Sequence, residues 1–127
     1  MNLRSHVSTQ VKLRRSNLVK ESFMAAKSTR HVQITLHGDQ LQGYVVSSLN
    51  LLRWKWWQPR PLVFRASVKT SWASWGEAIL IDISHPGWMT VESKCAFPLQ
   101  LIDWGKNKKN VSKFLDQLNT ATGMYFQ

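Results

Sequence analysis

The sequence predicts an α+β domain: a mainly antiparallel curved sheet or partly open barrel of about six strands, with an N-terminal helix and a C-terminal amphipathic helix. Three observations predict it. Apolar and polar residues alternate with period two at residues 32–36, 52–69 and 78–97, the mark of strands with one dry and one wet face. Turn-forming residues at Gly38-Asp39, Pro59-Arg60-Pro61 and His85-Pro86-Gly87 divide those runs into consecutive hairpins. Near the end, Val111, Phe114, Leu115 and Leu118 fall at i, i+3, i+4 and i+7, which is one face of a helix.

Taken in order, residues 1–8 read as a flexible basic arm, 9–123 as one domain and 124–127 as a tail. A helix is expected over residues 9–27. There Val11, Leu18, Val19, Phe23 and Ala26 trace a loose apolar stripe, with Lys12, Arg14, Arg15 and Lys20 mostly off it. Ser16 and Asn17 are N-cap residues for a shorter version. A hairpin is expected next: Val32, Ile34 and Leu36 alternate with polar partners, Gly38-Asp39 turns, and Leu41, Gly43 and Val45 resume the alternation.

The stretch 52–69, LRWKWWQPRPLVFRASVK, holds three of the seven tryptophans, five Lys or Arg and no acidic residue. Leu52, Trp54 and Trp56 alternate with Arg53, Lys55 and Trp57. Beyond the proline corner, Leu62, Phe64, Ala66 and Val68 alternate with Val63, Arg65, Ser67 and Lys69. These are two strands, apolar on one side and cationic on the other. Residues 70–76, with Trp72 and Trp75, form a connection. A second hairpin turns Ile79, Ile81 and Ile83 inward on one strand, and Met89, Val91 and Cys95 on the next. Pro98 ends it, a short strand follows at 99–104, and Asn107 or Asn110 caps the final helix, which Gly123 stops. A curved sheet closed by a C-terminal helix resembles the element order of pleckstrin-homology-like domains.

At 127 residues and 14.7 kDa the chain is large enough for its own core. A single cysteine, Cys95, excludes an internal disulfide and any CxxC pair. His6, His31, His37 and His85 form no H-x-H or HExxH pattern, and no serine sits in a nucleophile elbow. Zinc sites and hydrolase triads are thereby disfavoured. The N-terminal residues have no apolar signal-like run and no segment approaches the roughly 20 apolar residues of a membrane span. The expected location is cytoplasmic, and the sequon at Asn110-Val111-Ser112 is read as chance.

Charge is the most informative bulk property. The formal net charge is +10, and residues 1–30 carry seven Lys or Arg against Glu21 alone. Such a balance favours nucleic acid, an anionic membrane surface or an acidic protein as partner. The candidate anion-binding residues are Arg14, Arg15, Arg53, Lys55, Trp57, Arg60, Arg65, Lys69, Lys106, Lys108 and Lys109. Indole rings suit base stacking or a lipid interface, and adjacent cations neutralise phosphates. Trp54 and Trp56, on the apolar side of their strand, are expected in the core, and Trp57 beside Arg53 and Lys55 on the wet side. The run Arg53-Trp54-Lys55-Trp56-Trp57 also resembles cationic tryptophan-rich antimicrobial peptides in composition. Lysines ahead of the last helix add to its N-terminal partial charge, a cradle for phosphate or carboxylate.

A second constellation is Asp82 followed by Glu92-Ser93-Lys94. An acidic residue on one hairpin strand and Glu-x-Lys on the next resembles the core of PD-(D/E)xK nucleases. That resemblance implies a divalent metal on Asp82 and Glu92 and a water-activating Lys94, with Glu21 as an upstream acid. Ile81 stands where the motif has proline. An exposed Glu92/Lys94 pair accounts for the same spacing without chemistry. The function expected from the sequence is therefore a small binding domain for an anionic partner, without a cofactor. The alternatives are a metal-dependent nuclease and a subunit of a larger assembly that meets its partner through tryptophans.

Overall fold

The computed structural model describes residues 27–36, 38–69, 76–96 and 105–124. The expected N-terminal arm and helix with Arg14 and Arg15, the tryptophans Trp72 and Trp75, the strand expected at 99–104 and residues 125–127 lie outside the described residues. The elements run β1 (Lys27–Gln33), α1 (Gly38–Leu51), β2 (Lys55–Arg60), β3 (Val63–Val68), β4 (Glu77–Asp82), β5 (Trp88–Cys95) and α2 (Lys106–Thr122). All strands pair antiparallel in one open sheet ordered β1-β5-β4-β3-β2. The fold is α+β as expected, but among the described residues the sheet has five strands rather than about six.

The difference lies partly in residues 38–51, where the expected second hairpin strand is instead α1. Leu41, Val45, Ser48 and Leu49 are its buried residues, spaced i, i+4, i+7 and i+8, a helical stripe. Asp39 lies in the first turn, where a negative charge complements the helix dipole. The alternating reading of Leu41, Gly43 and Val45 shared only Leu41 and Val45 with the true buried stripe. Because α1 interrupts the strands, the element order departs from a sheet followed by one closing helix.

The end of α1 is defined by backbone bonds: Arg53 N–H donates to Asn50 O at 3.0 Å and Trp54 N–H to Leu49 O at 3.2 Å. This is the paired pattern of a Schellman motif, whose left-handed residue is usually glycine. Here Arg53 occupies it, with φ 59°. The chain then enters β2, an edge strand that contains Pro59 and whose register shifts between Trp57 and Arg60.

One face of the sheet carries the core. Val32, Ile34, Phe64, Ala66, Ile79, Ile81, Met89 and Val91 meet Leu41, Val45 and Leu49 of α1 and Val111, Phe114, Leu115 and Leu118 of α2. Each fully buried side chain of this size stabilises by roughly 1.5–3 kcal/mol. Trp54 and Trp56 are half-buried against this core, on the side their alternation predicted. The Trp56 ring lies 6.0 Å from that of Phe64, and its Nε1–H donates to Asn50 Oδ1 at 2.8 Å.

The start of α2 differs from its expected cap. Gly105, with φ 77°, precedes the helix without a side-chain cap bond. Asn107 and Asn110 are inside the helix and buried. They face a buried polar cluster rather than the helix's own free N–H groups. Ser93 Oγ donates to Asn107 Oδ1 at 2.7 Å, while Asn110 Nδ2 donates to Glu77 Oε1 at 3.1 Å and to Ser93 Oγ at 3.3 Å. Asn107 Nδ2 lies 3.5 Å from the Cys95 sulfur, which is buried as expected. These bonds fix the first turns of α2 over the ends of β4 and β5, and Asn110 serves packing in this arrangement. At the far end, Gly123 takes φ 68° and its N–H donates to Asn119 O, the expected C-terminal stop.

Candidate functional site

Strand register places side chains on the second face of the sheet in rows. No described element packs across this face. One row runs Lys55, Ser67, Ala78, Lys94 and Lys27 from β2 to β1. The next runs Trp57, Arg65, Leu80, Glu92 and Thr29, and a third contains Val63, Asp82, Thr90 and His31. Neighbouring strands lie about 4.8 Å apart, so the Lys55–Lys27 row crosses roughly 19 Å over four strand spacings. Trp57 stands directly across from Arg65 and is 47% exposed. Trp88 opens β5 opposite Gln33 on the same face and is 49% exposed.

The first row also marks one end of the molecule. Antiparallel pairing brings the starts of β1, β2 and β4 to the ends of β3 and β5. Lys27, Lys55 and Lys94 are therefore joined there by Lys69, which follows β3, and by Arg53, which precedes β2. The Glu77–Asn110 and Ser93–Asn107 bonds bring the N-terminus of α2 to the same end. With it come Lys106, Lys108 and Lys109, on the helix layer rather than the open face. The first turn of α2 holds no acidic residue, so its partial positive charge adds to the lysines. Of the acidic groups described near this end, Glu77 is buried and Glu92 lies 3.6 Å from the Lys27 ammonium.

Of the candidate anion-binding residues, the structure thus gathers Arg53, Lys55, Lys69, Lys106, Lys108 and Lys109 at one end. Trp57 and Arg65 lie one row further along the open face, and Arg60 lies at the far end of β2. Arg14 and Arg15 are outside the described residues. Lys27, and Lys94 as a partner for it, escaped the sequence reading of this surface. Their adjacency depends on β1 pairing with β5 across 55 to 67 residues, and no local periodicity carries that information. Like charges directly opposite each other weaken a sheet. Lys27 is relieved by Glu92, whose Oε2 lies 3.6 Å from its ammonium and accepts from Thr29 Oγ1 at 3.4 Å.

No family model and no curated protein matches this chain. Its chemistry has to be read from the residues themselves.

The Asp82, Glu92 and Lys94 constellation shares the open face: Asp82 pairs with Thr90 and Leu80 with Glu92 on adjacent strands. The two carboxylates are nevertheless held in different directions. Asp82 Oδ1 accepts from Ser84 N–H at 2.9 Å and Ser84 Oγ at 2.5 Å, while Glu92 turns to Thr29 and Lys27. Burial tends to raise the Asp82 pKa, but the Ser84 hydrogen bonds, with the charges of His85 and Arg60, outweigh it and hold the carboxyl below its usual value. Among the described residues no three His, Cys, Asp or Glu side chains gather as metal ligands. No helix among the described residues is long and apolar enough to cross a membrane.

Proposed function

We propose that this protein binds single-stranded nucleic acid on its open sheet face, with the phosphate backbone led by the basic end. The observation that carries this reading is the half-exposed Trp57 ring set between Arg65 and the Lys55–Lys94–Lys27 row. A base stacks on an indole whatever its sequence, and flanking cations neutralise the phosphates on either side. A duplex hides its base faces, so an exposed indole on a sheet gains more from an unpaired strand. The formal charge of +10 supplies long-range attraction of the same sign.

The test is a salt titration of binding to short single-stranded oligonucleotides. Each phosphate neutralised contributes about 0.7 to the slope of log K against log salt for single strands. Lys55→Ala and Arg65→Ala should each lower that slope by about this amount. Trp57→Ala should weaken binding by about 1–3 kcal/mol and leave the slope unchanged. Salt-independent binding, or affinity that ignores Trp57, refutes the proposal. Tighter binding to anionic vesicles or to an acidic protein than to any oligonucleotide points to those partners instead. Metal-dependent cleavage of the strand, lost in Asp82→Ala and in Glu92→Ala, would favour the nuclease reading.

A further inference from the structure

At the end of the sheet opposite the lysines, the β1–α1 connection, the β2–β3 turn and the β4–β5 turn enclose a cleft of about 270 Å³. Its walls include Ile34, Leu41, Leu62 and Ile83, with Ser84, His85 and Trp88 among the residues around it. A cavity of about 150 Å³ suffices for one six-membered aromatic ring. A cleft of about 270 Å³ therefore suits a heterocycle of one or two rings. We infer that this cleft receives a nucleobase, seated against Trp88 and Leu62.

Two independent features converge on that occupant. The half-exposed Trp88 belongs both to the cleft and to the open face, so a strand lying on that face can deliver a base without leaving the surface. Leu62 holds φ 61°, a conformation that branched, bulky residues adopt at a cost of about 1–3 kcal/mol and that collects at ligand sites. Its carbonyl accepts from Ile83 N–H at 2.9 Å, and this bond pins the strained turn against the cleft wall. An apolar slot with a few convergent polar groups is the usual form of a small-ligand site.

The inference rests on the nucleic-acid reading and specifies a base-binding subsite within it. The shared chemistry is the nucleobase, whether from a strand or from a free nucleotide. The experiment has two arms, both followed by amide and indole NMR shifts. Adenosine and uridine monophosphates are titrated into the protein, with inorganic phosphate as the control probe, and a short oligonucleotide is titrated separately. Expected are shifts at Leu36, Gly38, Leu62, Ile83, Gly87 and Trp88 in both arms, and none of comparable size with phosphate alone.

Gly38 faces the cleft, where an added Cβ would stand 3.7 Å from Leu62 Cδ2. Gly38→Leu should therefore occupy the slot and abolish the mononucleotide shifts. Thr35→Trp at the mouth provides a second block should the first variant misfold, and Trp88→Ala should weaken the mononucleotide at least fivefold. Cleft shifts that persist in a folded blocking variant, or appear equally with phosphate, overturn the inference. So does an oligonucleotide that shifts Trp57 and Arg65 but leaves the cleft untouched, an outcome under which the open-face proposal stands. Cleft shifts with free nucleotides, combined with oligonucleotide affinity indifferent to Trp57→Ala, would support the cleft as a nucleotide site and overturn the open-face reading.

Discussion

Asn110→Ala is the sharpest test of how α2 is held over the basic end. The Asn110 amide donates to Glu77 Oε1 at 3.1 Å and Ser93 Oγ at 3.3 Å, and Glu77 is only 3% exposed. Truncation leaves the buried Glu77 acceptor without that donor, at about 1–3 kcal/mol. Loss of the Ser93 contact adds about 1 kcal/mol, since Ser93 keeps its bond to Asn107. The sum, about 2–4 kcal/mol, is a large part of a small domain's total stability of about 5–15 kcal/mol. Urea unfolding followed by circular dichroism measures it. A double-mutant cycle with Glu77→Ala should return a coupling of about 1–3 kcal/mol, as for residues sharing one buried network. A loss below about 0.5 kcal/mol with no coupling would refute the argument that this cluster, rather than apolar packing alone, positions the helix.

Three further outcomes follow from the backbone and the charges. Gly76→Ala should cost at least about 2 kcal/mol in the same unfolding assay, because Gly76 has φ 82° and an added Cβ would stand 2.5 Å from the Val68 carbonyl oxygen. Arg53→Gly should raise the melting temperature by a few degrees: relief of about 1–2 kcal/mol of left-handed strain exceeds the roughly 0.5–1 kcal/mol entropy cost of glycine. Asp82→Asn should flatten the acid limb of the stability profile. The Asp82 carboxyl is held below its usual value, so its contribution is complete above about pH 3.9 and is lost as pH falls through the folded pKa. Wild-type protein should therefore lose stability more steeply than the variant below about pH 4, as measured by urea midpoints.

Local signals carried most of the fold. In β4 and β5, isoleucines at 79, 81 and 83 and the pair Met89 and Val91 alternate without interruption, and no other structure satisfies that pattern as well. The stripe of Val111, Phe114, Leu115 and Leu118 was equally unambiguous. The stretch at 38–51 was not, because Gly38-Asp39 is good turn chemistry and Ser48 weakens the helical stripe. Ser48 is buried, with no hydrogen-bond partner for its hydroxyl among the described residues, so a polar residue holds a core position there. Asn107 and Asn110 misled for the reverse reason. Asparagine just ahead of an apolar run reads as a cap unless its distant partners, Glu77 and Ser93, are known.

The site was legible only in part. Alternation put Trp57 and Arg65 on the wet side, and the structure places them directly across from each other. What one-dimensional patterning could not express was the end-on convergence of Lys27, Lys94 and the α2 lysines. That arises from non-local pairing and from the polar cluster under the helix. The lysines of α2 face a different layer from Trp57, so a strand reaching both must wrap the end of the sheet.

The proline in β2 bears on how copies of this protein coexist. An outermost strand offers its free amides and carbonyls to any passing chain, and indole-rich borders are prone to zip together into fibrils. Pro59, the next-to-last residue of β2, withholds an amide near one end of that border, and the register shift beside it twists the strand out of line. Molecules crowded side by side would thus find this border a poor template for joining their sheets.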